Sequence, residues 1–121
     1  MRLALCQIET AAWDLDGNTA RTLAALDAAA DCGADLAVTP ECVFHGYGFA
    51  ADRLRERLLA AAEPLDGARV GAVRTLAARR GIDVVLGFAE RDGDRLHNSA
   101  LLIGADGGIA AHYRKVHCRA F

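Results

Sequence analysis

A glutamate at the end of a short apolar run and a lysine set into another are the residues in this sequence best suited to chemistry. Glu41, in VTPECVFHGY, directly follows Pro40. In open α/β sheets the carboxyl ends of strands are where loops diverge and leave a crevice for ligands. Pro40 fixes the backbone just ahead, so a carboxylate there can be aimed. The rival reading is a solvated loop glutamate that ends the strand, and position alone leaves both open. Lys115, in YRKVH, follows Ile109, Ala110, Ala111 and Tyr113. Arg114 and Lys115 are neighbours, so on extended backbone their side chains leave on opposite faces. One of them faces the interior side or a cleft, unless both lie near an edge and reach water along their aliphatic stems. A carboxylate can exchange protons and an ammonium can stabilise an anion.

The elements that must position these two residues read as mixed α/β. Residues 2–8 carry apolar groups on both faces, the pattern of a strand covered on both sides. Asp16 offers an N-cap to an Ala-rich helix over 18–32, with Leu23, Leu26 and Ala30 on one face and Gly33 as the stop. A short strand over 35–39 is ended by Pro40, and the β-α-β opening implies parallel neighbours. Residues 42–51 have the aromatic and glycine content of a loop. A helix over 52–62 is broken by Pro64. Asp66 can cap a second helix over 67–80, with Arg79 and Arg80 suiting its C-terminal dipole and Gly81 ending it. IDVVLGFAE is then a buried strand, RDGD a hairpin turn, LHNSALLIG the partner strand, ADGG another turn, and IAAHYRKV a third strand. The predicted order is β-α-β-loop-α-α-β-β-β.

Composition narrows the class. The chain has 121 residues, 53% hydrophobic and 25% charged, with a formal net charge of −2. That suits one soluble globular domain. No basic excess exists to neutralise phosphates, which speaks against nucleic acid, and no polybasic patch draws the chain to an anionic membrane. No apolar run approaches the roughly 18 residues that cross a bilayer. The N-terminal MRLALCQIET is read as a strand rather than a signal peptide, so a cytoplasmic location is expected. Four cysteines, Cys6, Cys32, Cys42 and Cys118, are scattered without CxxC pairs and read as free thiols.

Taken together the segments resemble the nitrilase superfamily of carbon–nitrogen hydrolases. VTPECVFHGYGF resembles that family's segment in which PE is followed shortly by GY. YRKVH resembles its YRK-x-H segment. GFAERDGDRLHNSALLIGADGGIAAHYRK resembles the run between them, and LALCQIE with the later Asp and Gly-Asn resembles its first strand and the approach to its first helix. All fall in the family's order, over the whole chain.

The resemblance implies an α-β-β-α sandwich, of which this chain supplies about half, and hydrolysis of an amide, carbamoyl or nitrile C–N bond in a small-molecule substrate. It makes Glu41 the general base and Lys115 the stabiliser of the negative charge that develops on the intermediate, in a Glu-Lys-Cys triad. It implies no metal or organic cofactor, and a homo-oligomer in the full-length form. The family's nucleophilic cysteine lies some dozens of residues beyond the lysine, whereas only six residues follow Lys115 here. Residues 1–121 are therefore expected to be an incomplete domain, truncated before its nucleophile, inactive alone and marginally stable. A non-catalytic short product or subunit, or an unrelated α/β binding domain, are the alternatives.

Other candidates are weaker. Cys118 is three residues past Lys115, on the opposite face of an extended backbone and about 10 Å along it. Cys42 reads as small loop filler. His45, His112, His117 and Cys118 match no metal-ligand spacing, and His97 reads as a surface residue. Tyr47 and Phe49 are read as pocket margin, with sealing of the loop to the core as the rival. Asn98 and Ser99 are expected to satisfy backbone groups.

Overall fold

Apolar runs of period two and Ala-rich stretches of helical period give the chain its elements in the predicted order. The computed structural model describes residues 1–47 and 53–117. Its elements are β1 (Leu3–Leu5), α1 (Leu15–Asp31), β2 (Leu36–Val38), α2 (Leu54–Ala61), α3 (Ala68–Arg80), β3 (Asp83–Asp92), β4 (Arg95–Ile103) and β5 (Ile109–Arg114). They form a five-stranded sheet ordered β1-β2-β3-β4-β5. β1, β2 and β3 run parallel, and β3, β4 and β5 antiparallel. Gly93, at φ 63°, is the first central residue of the tight turn between β3 and β4, with Asp94 the second and Asp92 still in β3 opposite Arg95; the hairpin turn falls within the predicted RDGD, centred one residue later than on its Asp-Gly pair.

One face of the sheet carries the core. Ala37, Val84, Leu86, Phe88, Leu101 and Ile103 share it and are fully buried. They pack with Leu26 and Ala29 of α1 and with Val70, Val73, Leu76 and Ala77 of α3. The core-forming helices α1 and α3 leave the opposite face open. Leu3 is 48% and Leu5 74% exposed there, and Val38, Val85, Ala100 and Leu102 are only partly buried. The first strand is thus three residues long and covered on one side, not over 2–8 and on both. Apolar composition alone does not distinguish a face already covered from one left to be covered.

Two predicted caps move. Asp14, not Asp16, caps α1, its Oδ1 accepting from the Gly17 amide at 3.1 Å; Asp16 lies in the first turn and pairs with Arg69 at 3.2 Å. Asp66 does not cap α3, whose N-cap is Gly67. Instead Glu63 reaches forward and its Oε2 accepts from the Arg69 amide at 3.2 Å. The C-terminal stop of α3 is as predicted, with Gly81 left-handed at φ 63°.

Asn18 is the buried polar residue that ties the start of α1 to the loop after β2. Its Oδ1 accepts from the Ala11 amide at 2.9 Å, and its Nδ2 donates to Ala11 O at 2.8 Å and Phe44 O at 2.9 Å. Because Asn18 is 0% exposed, truncation would strand these backbone groups away from water. The Asn18→Ala variant is expected to lose about 2–4 kcal/mol of stability in chemical denaturation; a loss below roughly half a kcal/mol would contradict the assignment.

Candidate active site

Glu41 owes its place to a glycine on the neighbouring strand. Beyond β2 the chain stays against β3: Thr39 N donates to Val85 O at 2.9 Å, Gly87 N to Thr39 Oγ1 at 3.0 Å, and Val43 N to Gly87 O at 3.0 Å. A Cβ on residue 87 would lie 2.6 Å from Pro40 O and 3.0 Å from Glu41 Cα. Only glycine lets the Pro40–Glu41 backbone come this close. The loop then turns through Cys42 at φ 54° and Gly46 at φ 64°, with Val43 and Phe44 sealed in the core.

The carboxylate so placed meets residues distant in sequence. Lys115 Nζ donates to Glu41 Oε1 at 2.9 Å, and Asn98 Nδ2 donates to the same oxygen at 2.5 Å. The Tyr47 hydroxyl donates to Oε2. Lys115 stands just past β5, where its own amide donates to Asn98 O at 2.8 Å. Asn98 therefore holds the lysine by its backbone and the glutamate by its side chain. Glu41, Gly87, Asn98, Ala100, Tyr113 and Lys115 help line an open cleft of about 340 Å³ on the face opposite α1 and α3.

The electrostatics favour an ion pair. The Tyr47 hydroxyl, then the Lys115 ammonium, hold the Glu41 carboxyl below its ordinary range; partial burial opposes them and Asn98 assists. Burial, then the bond to Glu41, push the Tyr47 phenol up. The upward pull of burial on Glu41 is thus outweighed. Its side chain is still 37% exposed, and that of Lys115 43%.

Adjacent residues build a second cluster on the other side of the sheet. Glu90, 1% exposed, accepts from Ser99 Oγ at 2.6 Å and lies 2.7 Å from His112 Nε2. Arg114 grips both of its oxygens and also reaches Asp92 at 3.1 Å. Burial would raise the Glu90 carboxyl, but the bonds from Arg114, Ser99 and His112 outweigh it and hold it at about 2.

Asn98 and Ser99 thus bind carboxylates instead of satisfying backbone, which corrects the sequence reading. Arg114 and Lys115 do take opposite faces. Tyr47 meets the site through its hydroxyl. Phe49 and Cys118 lie outside the described residues. The histidines disperse: His45 is buried and stacked on Trp13 at 5.6 Å, His112 serves Glu90, and His97 is half-buried with Nε2 enclosed, not a surface residue. Among the described residues no group of three or more His, Cys, Asp or Glu side chains is placed to hold a metal ion. None of their helices is long and apolar enough to cross a membrane.

The chain has known relatives. The model of the carbon–nitrogen hydrolase family matches residues 2–120, and the chain belongs to that family. It is 39% identical over 105 residues to an (R)-stereoselective amidase of a Pseudomonas species, covering 84% of this chain and 36% of that protein. It is 32% identical over 118 residues to a nitrilase of Pyrococcus abyssi, covering 97% and 44%. A solved structure of the amidase from Nesterenkonia sp. AN1 superposes with a TM-score of 0.82 at 27% identity, over 99% of this chain and 46% of that one. The chain thus spans less than half the length of these relatives.

Glu90 makes stability acid-sensitive in a defined direction. Above its ordinary value of 4.5 the carboxylate is ionised in folded and unfolded chains alike, and its stabilisation is fully present. As pH falls from 4.5 to about 2 the unfolded chain binds a proton that the folded one refuses. Up to about 3 kcal/mol is lost across that window. Denaturation midpoints measured from pH 5 to 2 are expected to fall steeply in the wild type and less in Glu90→Gln; parallel curves would refute the assignment.

Proposed function

We propose that this chain supplies the general base, Glu41, and the charge-stabilising lysine, Lys115, of a carbon–nitrogen hydrolase acting on a small amide, carbamoyl or nitrile substrate. The observation that carries the reading is the 2.9 Å contact between Lys115 Nζ and Glu41 Oε1, two groups 74 residues apart meeting in an open cleft. Family membership and the amidase and nitrilase relatives support the reaction class. We further propose that residues 1–121 form part of the catalytic domain. In this reading the nucleophilic cysteine comes from beyond residue 121, and the protein works in a reducing cytoplasm, where thiols such as Cys6 and Cys32 persist.

In this mechanism Glu41 takes the proton of the cysteine thiol, which at an ordinary pKa is mostly protonated at neutral pH. The thiolate adds to the amide carbon, and the charge that gathers on oxygen is met by the Lys115 ammonium. The proton held by Glu41 passes to the departing amine as the C–N bond breaks, leaving a thioester. Water, deprotonated by the same carboxylate, attacks the thioester, and the acid leaves as the thiol is restored. A nitrile follows the same course through a thioimidate, and the first water releases ammonia.

The test assays amine or ammonia release from simple amides, N-carbamoyl compounds and nitriles, using the protein translated through the coding sequence beyond codon 121. Glu41→Gln and Lys115→Met are each expected to lower kcat/KM by about 10²–10⁴; either variant retaining full activity would sink the assigned role. The 121-residue chain alone is expected to turn nothing over. Turnover by it that Cys118→Ser abolishes would place the nucleophile inside the chain and overturn that part of the reading.

A further inference from the structure

The Glu90 cluster plays no part in the chemistry just described, yet it is built from the immediate neighbours of the residues that do. Strand register makes the connection: Ser99 of β4 faces Arg114 of β5, and each is adjacent in sequence to a residue of the Glu41 site. Ser99 and Arg114 turn to Glu90 on the helix-covered face, while Asn98 and Lys115 turn to Glu41 on the open face. Arg114 is the last residue of β5, so its grip on a buried carboxylate pins the strand end from which Lys115 departs. We infer that Glu90 is a positioning residue for the Glu41–Lys115 pair, acting through the Arg114 fork on one strand and Ser99 on the next.

The physical case rests on the contrast between the two sites. A lysine has four rotatable bonds and a compact, strongly hydrated head. At 43% exposure its contact with Glu41 does little by itself to hold its backbone in place. The Glu90 carboxylate is 1% exposed and takes bonds from three side chains. Breaking a buried, fully bonded charge pair is far costlier than breaking an exposed one. The rigid contact therefore sits behind the sheet and the soft one in front of it. The inference rests on the proposed pairing of Glu41 with Lys115, and the experiment separates the two.

Side-chain carboxyl ¹³C shifts of Glu41 are followed through a pH titration of the protein translated through the coding sequence beyond codon 121, and of its variants. Lys115→Met is expected to raise the Glu41 pKa by removing the ammonium. Glu90→Gln is expected to raise it too. Direct electrostatics predicts the reverse, because deleting a nearby negative charge favours ionisation of Glu41. Arg114→Lys keeps the charge but loses the two-pronged grip; it is expected to raise the Glu41 pKa and becomes the deciding variant should Glu90→Gln not fold. Asp14, held low by Arg21 and the Gly17 amide at the start of α1, is expected to stay put and reports any general loosening. A Glu41 pKa unchanged or lowered in Glu90→Gln, or in Arg114→Lys if that variant alone folds, overturns the positioning role. An upward shift matched at Asp14 does the same. If Lys115→Met leaves Glu41 unmoved, the ion pair itself is wrong, and the proposed function falls with it.

Discussion

Successive side chains on an extended strand leave on opposite faces, and in this protein that rule decides which carboxylate each polar group serves. The Asn98–Ser99 pair on β4 and the Arg114–Lys115 pair at the end of β5 are each split by it. One member of each goes to Glu41, the other to Glu90. A slip of one residue in the β4–β5 register would exchange the faces. Lys115 would then be driven toward the covered interior and Arg114 toward the cleft. The irregularity between Leu102 and Ile103, where β5 opens at Ile109, falls before the part of the ladder that matters and leaves Ser99 opposite Arg114.

Register at that end of the sheet is protected by chemistry as well as geometry. A charge taken out of water is tolerated only with its hydrogen-bonding capacity filled. Glu90 achieves this only when Ser99, His112 and Arg114 all arrive on the same face. With β5 out of register the buried carboxylate would lose His112 and Arg114 and keep only the bond from Ser99. The front of the sheet has no such constraint, since water can solvate Glu41 and Lys115 whether or not they meet. Specificity of alignment therefore comes from the buried acid, and the exposed acid inherits it.

The element order was legible in the sequence because each boundary has a local cause: Pro40 after β2, Pro64 after α2, Gly81 after α3, and the RDGD turn before β4. Caps were less legible because several carboxylates compete within a few residues; Asp14, Asp16, Glu63 and Asp66 differ in reach rather than in type. Glu41 and Lys115 stand out by motif, and their meeting could not be read from either segment alone. Glu90, Ser99 and the true role of Asn98 were missed, although a signal existed. The two-residue turn at Gly93–Asp94 sets Asp92 opposite Arg95. Counting back from it places Glu90 opposite His97 and diagonal to Ser99, with Asn98 on the other face beside Ala89. A buried glutamate in a strand with a serine on its diagonal is a sign of an internal polar cluster. What no count could supply is which sheet face the helices cover.

That uncovered face bears on how strong a base Glu41 can be in the proposed mechanism. Thiol-to-carboxylate proton transfer is uphill when the carboxyl titrates in its ordinary acidic range, and more so when hydrogen bonds hold it lower. Here Glu41 is held low by Tyr47 and Lys115, while burial pulls the other way. The opposing influence is the one with room to grow. Glu41 is still 37% exposed, and the strand face around it is lined by Val85, Ala100 and Leu102, apolar side chains suited to a covering layer. Any layer laid on that face removes water from the carboxylate and raises its proton affinity, and it strengthens the attraction of Lys115 for an anionic intermediate at the same time. In the proposed mechanism the same event would bring Glu41 closer to the working range of a base and sharpen the effect of Lys115, so both proposed roles are governed by how completely the open side of the sheet is closed.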